Sequence, residues 1–222
     1  MKESKLIEKP LGRKPIITSS LSLKKENQLI DRIKEKIENP SSKFYWVCPL
    51  IEESEELDLK AAEERYKILK KYFKNKVLLM HGRLSEIEKE EIMTKFKNED
   101  YKILVSTTVI EVGVDIPSAT TIVIEHAERF GLAQLHQLRG RVGRNDIQSY
   151  CILLHKDNIG EISKQRIDIM KQTNDGFKIA EEDLKIRGPG EILGKKQSGS
   201  PSFYVADLSF DYDLLELSLI HI

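Results

Sequence analysis

No run of about 18 apolar residues occurs in the 222-residue sequence and no charged-then-apolar leader opens it, which predicts a soluble, cytoplasmic chain without a membrane partner. Cysteine is nearly absent. Only Cys48 and Cys151 occur, far apart and inside apolar runs, which excludes a disulfide framework or a cysteine metal site and marks both as buried strand residues. A surplus of either charge is missing too: Lys plus Arg and Asp plus Glu each total 36, so contact with a polyanion must come from local patches. A phosphate cradle is also lacking. Residues 190–196, GEILGKK, fall one residue short of G-x-x-x-x-G-K-S/T and lack the terminal hydroxyl that would ligate Mg2+, and no acidic box follows a strand. No metal site is expected.

What is present alternates. Nearly continuous apolar runs at 44–48, 77–80, 103–106, 121–124 and 150–154 suit strands buried on both faces. Between them lie amphipathic stretches: Ile30, Ile33 and Ile37; then Ala62, Tyr66, Leu69 and Phe73; then Ile92 and Phe96 after a Ser85/Glu88 capping box. Strand alternating with helix predicts an α/β parallel sheet with flanking helices and ligands at the carboxyl ends of its strands. Beyond residue 158 the pattern becomes a helix over 161–172, a turn at Thr173-Asn174-Asp175-Gly176 and a second helix over 179–186, broken by Gly188-Pro189-Gly190. The expected organisation is a linker over 1–20, an α/β domain over 21–157, a helical hairpin and loop over 158–216, and a tail over 217–222. That tail, LSLIHI, matches the conceptual translation of a transposon sequencing adapter and is expected to be non-native.

Charge is segregated along the chain. Residues 52–64 carry seven acids against Lys60 alone, residues 129–144 hold no acid, and Lys185, Arg187, Lys195 and Lys196 form a second basic cluster. Residues 137–144 read QLRGRVGR. If helical, they place Gln137, Arg141 and Arg144 at i, i+4 and i+7 on one stripe. Gly140 and Gly143 each cost roughly 1 kcal/mol relative to Ala in a helix, tolerable where a ligand or backbone approaches closely. Permanently charged, planar guanidiniums beside such an approach suit phosphate recognition. Thr107-Thr108 at a strand end, followed by Gly113 and Asp115, form a loop able to bond phosphate and sugar hydroxyls. His81-Gly82-Arg83, between a strand and a capped helix, suits a nucleic-acid phosphate.

TTVIEVGVDIP (107–117) and QLRGRVGR resemble motifs V and VI of superfamily 2 helicases, and residues 44–56 resemble the motif IV region. HAERFGLAQLHQLRGRVGR, TNDGFKIAEEDLKIRGPGEILG and the QSG at 197–199 resemble the RecG family of bacterial branched-DNA helicases, over roughly residues 11–208. The resemblance implies a RecA-like second motor domain followed by a translocation hairpin. It makes Arg141 and Arg144 fingers on the γ-phosphate of ATP held by a neighbouring motor domain, with Gln137 ordering them; Gly113 and Asp115 meet the nucleotide. His81, Gly82, Arg83 and Thr107 lie along DNA, and Arg187, Glu191 and Gln197 serve translocation.

The missing cradle makes this half a motor, inactive alone. Mg2+ would be held mainly by an absent amino-terminal motor domain, which with a wedge domain would complete a monomeric, fork-binding enzyme of recombination and repair. Two alternatives are the carboxyl-terminal motor of the transcription-repair coupling factor Mfd and a non-catalytic nucleic-acid-binding module. An unrelated sugar-nucleotide transferase would not explain the arginines.

Overall fold

The computed structural model describes residues 14–39, 42–49, 55–107 and 116–187. Six strands form one parallel sheet: β1 (Ile17–Ser22), β2 (Lys43–Val47), β3 (Val77–Met80), β4 (Ile103–Ser106), β5 (Ala119–Ile124) and β6 (Tyr150–His155), in the order β1-β6-β5-β2-β4-β3. Right-handed crossovers decide the layers. The steps β1 to β2 and β2 to β3 move toward the β3 edge, so α1 (Glu26–Lys36) and α2 (Glu55–Phe73) share one face. Steps in the other direction put α3 (Glu86–Asn98) and α4 (Leu132–Arg139) on the opposite face, where α5 (Glu161–Gln172) and α6 (Gly176–Arg187) join them.

The period of two along β2 divides the core. Phe44, Trp46 and Cys48 pack with Leu29, Ile30, Ile33, Ala62, Leu69 and Phe73, whereas Tyr45 and Val47 pack with Met93, Phe96, Leu135 and Met170. The helical spacings expected from the sequence are therefore core faces, and the Ser85/Glu88 box caps α3, with Glu88 accepting from the Ser85 amide at 2.8 Å. Cys48 and Cys151 are buried free thiols, the latter pushed up to about 12 by burial. No helix among the described residues is long and apolar enough to cross a membrane.

Two boundaries move. Residues 17–20, expected in a linker, belong to β1, a serine-rich edge strand that pairs only with β6 and leaves Ile17 half exposed. It needs no continuous apolar run because it is buried on neither face in full. The second hairpin helix begins at Gly176 rather than 179, because Asp175 accepts from the Phe177 amide at 2.9 Å and so caps it three residues earlier.

The crevice between the carboxyl ends of β2 and β5, where the chain leaves toward opposite faces, is the usual ligand position in such sheets. Here protein groups fill it. Glu125 accepts from Trp46 Nε1 at 2.8 Å and from Arg65 Nε and Nη2 at 2.8 and 2.5 Å, and Arg65 also pairs with Glu26 at the start of α1. The guanidinium lies over the Trp46 ring at 5.1 Å, so one cation ties α1, α2, β2 and β5 together. Removing a buried cation from between two carboxylates costs about 3 to 5 kcal/mol. Arg65→Met should lose that much stability in urea unfolding, and adding Glu125→Gln should recover part of it; an unchanged loss in the double variant would contradict the network.

Candidate functional site

The arginine-rich segment is a helix end followed by a turn, not a continuous helix. α4 stops at Arg139; Gly140 caps it by donating to the His136 carbonyl at 3.0 Å, the Arg141 amide reaches the Leu138 carbonyl at 3.0 Å, and Gly143 turns at φ +78°. The expected stripe of Gln137, Arg141 and Arg144 is therefore not formed. The reason is steric. A β-carbon at Gly143 would stand 2.8 Å from Ile16 Cγ1, so the chain passes the residue before β1 in a left-handed conformation that a helix cannot supply. Gln137 is exposed on the last turn of α4, and Arg141 and Arg144 are half-buried on the turn beyond. Among the described residues Arg141 enters no ion pair.

Arg139 behaves differently from its two neighbours. It is 2% exposed, and its Nη1 donates to the carbonyls of Met170 and Thr173, both at 2.8 Å, and to Thr18 Oγ1 at 3.3 Å, while Nη2 meets His136 Nδ1 at 3.1 Å. Two of these acceptors are the terminal carbonyls of α5, whose partial negative charge suits a cation. Burial pulls both Arg139 and His136 below their ordinary pKa values, with Arg139 adding to the effect on His136. The sequence singles out Arg141 and Arg144 as the phosphate-seeking pair; Arg139, the remaining arginine of the segment, is structural.

The turn stands at the end of the sheet opposite to the carboxyl edge. Asn145 donates to the carbonyl of Pro117, just ahead of β5, and Gln148 donates to that of Pro15, just ahead of β1, at 2.8 Å. Arg141 and Arg144 therefore emerge near the amino ends of β5, β1 and β6. The crossover antiparallel to the strands carries α4 away from the carboxyl edge.

The carboxyl edge holds the other candidates. β3 and β4 pair Met80 with Ser106, so His81 and Thr107 lie side by side beyond the last rung, with Gly82 and Arg83 exposed in the adjacent turn. His81 Nδ1, Ser106 Oγ and Thr107 Oγ1 are buried without a hydrogen-bond partner. Each such orphan costs about 1 to 3 kcal/mol unless something external satisfies it. Burial lowers the His81 pKa, the Arg83 charge adding to it, which favours a neutral ring with one N–H to donate. The amino end of α3 itself is already occupied by Ser85 and by Glu86 and Glu88 of its first turn, so an anion here would rely on side chains rather than on the helix terminus. Ser106 escaped the sequence reading, because a hydroxyl ending an apolar strand carries no motif.

Gly113, Asp115, Glu191 and Gln197 lie outside the described residues, and only the backbone of Arg187, the last residue of α6, is described. Among the described residues no group of three or more His, Cys, Asp or Glu could hold a metal ion.

Residues 22–146 match the family described as the helicase conserved C-terminal domain. The chain belongs to that family. In this helicase family the sheet is the RecA-like motor fold, which the geometry above displays. A second match, to the carboxyl-terminal part of domain 3 of the ATP-dependent DNA helicase RecG, covers residues 173–220. The chain is 51% identical over 217 residues to the RecG of Synechocystis, covering 97% of this chain and 26% of that protein. It is 49% identical over 221 residues to the RecG of Bacillus subtilis, covering 97% of this chain and 32% of that protein. A solved structure of RecG bound to a three-way DNA junction superposes with a TM-score of 0.71 at 46% identity, covering 94% of this chain and 27% of that one. The chain thus spans about a quarter to a third of the length of these helicases.

The left-handed Gly143 against Ile16 is the most constrained point of the arginine turn. Gly143→Ala should lower stability by about 1 to 2 kcal/mol from the backbone conformation alone, read in denaturant unfolding. A neutral result would mean that the turn is not held there.

Proposed function

We propose that this chain is the second motor domain and translocation hairpin of a RecG-like, ATP-dependent helicase that acts on branched DNA in fork reversal, recombination and repair. The observation that carries this reading is the placement of Arg141 and Arg144, half-buried on a turn held from both sides, in a chain whose sequence contains no phosphate cradle. ATP, with Mg2+, would be held mainly by an amino-terminal motor domain of the same polypeptide. Its γ-phosphoryl group is what the reaction transfers to water. From this side Arg141 and Arg144 would neutralise charge on the phosphate oxygens, Gln137 would order that contact, and Gly113 and Asp115 would meet the nucleotide. Such a finger is worth about 10³ to 10⁵ in rate, roughly 4 to 7 kcal/mol.

At the opposite edge, Ser106, Thr107 and His81 supply three buried, unpartnered polar atoms, and Arg83 supplies exposed charge beside them. Phosphate oxygens of a DNA strand would satisfy these donors without reading sequence. DNA junctions are the partner that the relatives suggest, with a wedge domain and the first motor domain as partners within the same monomeric polypeptide. Arg187, Glu191 and Gln197 would pass motor movement to the duplex. Neither Mfd nor a non-catalytic module is favoured, because the identity to RecG runs through the hairpin as well as the motor.

Three outcomes test this. The isolated chain should show no ATP turnover; measurable hydrolysis would refute the half-motor reading. In the full-length protein, Arg141→Ala or Arg144→Ala should cut hydrolysis by about 10³-fold or more while sparing most DNA affinity, and unchanged turnover in both would remove the finger assignment. Thr107→Val should leave stability unchanged or slightly raised, because a buried hydroxyl without a partner is removed, yet weaken DNA binding by about tenfold; retained affinity with lost stability would make that hydroxyl structural.

A further inference from the structure

The arginine turn, the hairpin turn and the approach to β1 form a closed ring of contacts. Arg139, the residue two before Arg141, holds the carbonyls of Met170 and Thr173. The next residue, Asn174, donates to the Ile16 carbonyl at 3.1 Å, and the Ile16 side chain lies where a β-carbon of Gly143 would be. The turn bearing Arg141 is therefore stapled at both ends: through Arg139 to the hairpin, and through Gly143 to the segment leading into β1. His136 tightens the same joint, since its Nε2 would stand 3.1 Å from a β-carbon on Gly176, the first residue of α6.

The hairpin spans the sheet from this joint. α5 begins beside residues 127–129, at the carboxyl end of β5, where Ser163 Oγ donates to the Glu128 carbonyl at 3.0 Å, and it ends at Arg139. α6 starts at the joint, and its 12 residues run about 18 Å, packed on α4 and α5. A shift of the arginine turn cannot leave the start of α6 in place while these bonds hold.

We infer that Arg139 is a positioning residue whose bonds to Met170, Thr173 and Thr18 make the arginine turn, the hairpin and the segment before β1 move as one body. The proposal rests on the motor reading above and adds to it the residue through which movement passes. A lysine keeps the charge but has one nitrogen where Arg139 uses two, so it cannot hold α5 and His136 together.

The test uses the full-length protein with Arg139→Lys, with Asn174→Ala as a second cut in the ring should the first variant fold poorly, and with Ile167→Val as a packing control away from the ring. Two quantities are read: base pairs unwound per ATP hydrolysed, and amide exchange at residues 175–179 without nucleotide. DNA-stimulated hydrolysis should stay within about threefold of wild type, unwinding per ATP should fall about tenfold, and exchange at 175–179 should rise about tenfold. The control should leave both unchanged. Equal loss of hydrolysis and unwinding, or wild-type exchange in the ring variants, would overturn the proposal. A wild-type protein without DNA-dependent hydrolysis would instead refute the motor reading, and the exchange measurement would still decide the joint.

Discussion

A buried guanidinium resting on the last carbonyls of a helix is the constraint on which the functional geometry depends. Arg139 has no carboxylate partner among the described residues; the end of α5, the Thr18 hydroxyl and His136 receive its donors instead. An unpaired buried charge would be costly, and a helix carboxyl terminus is one of the few neutral groups able to offset it. The same contact orders the hairpin against the motor domain and stops α4 at the residue where the arginine turn must begin. The Glu26, Arg65, Glu125 and Trp46 network does comparable work on the other face and fills the usual ligand crevice.

The outcome is a domain whose two groups of candidate residues stand at opposite ends of the sheet. At one, buried hydroxyls and a neutral histidine lack partners; at the other, guanidiniums stand on a turn pinned by glycine geometry and by β1. On the proposed motor reading, separation means that a nucleotide-driven displacement at one end is felt at the other only through a stiff connection.

Much of this was legible in the residues. The five apolar strands and the Ser85/Glu88 cap followed from local pattern, because buried parallel strands need uninterrupted apolar runs and a cap is written in four residues. β1 was not legible, since an edge strand of serines looks like a linker. The arginine segment was misread as one helix because Gly140 and Gly143 do not disclose which conformation they adopt; that depends on Ile16, over a hundred residues earlier. Arg139 and Arg141 are chemically identical in the sequence, and only the docking of α5, thirty residues later, buries one and leaves the other on the rim. The Arg65 to Glu125 pair, 60 residues apart, was likewise invisible.

Transition-state mimicry reads the guanidinium contact with the phosphoryl group itself. The full-length protein should bind ADP with aluminium fluoride, which imitates the phosphoryl group in transfer, more tightly than ADP alone, and Arg141→Ala should abolish that difference while leaving ADP affinity intact. An Arg141→Ala protein that retained the full preference for the mimic would contradict the account.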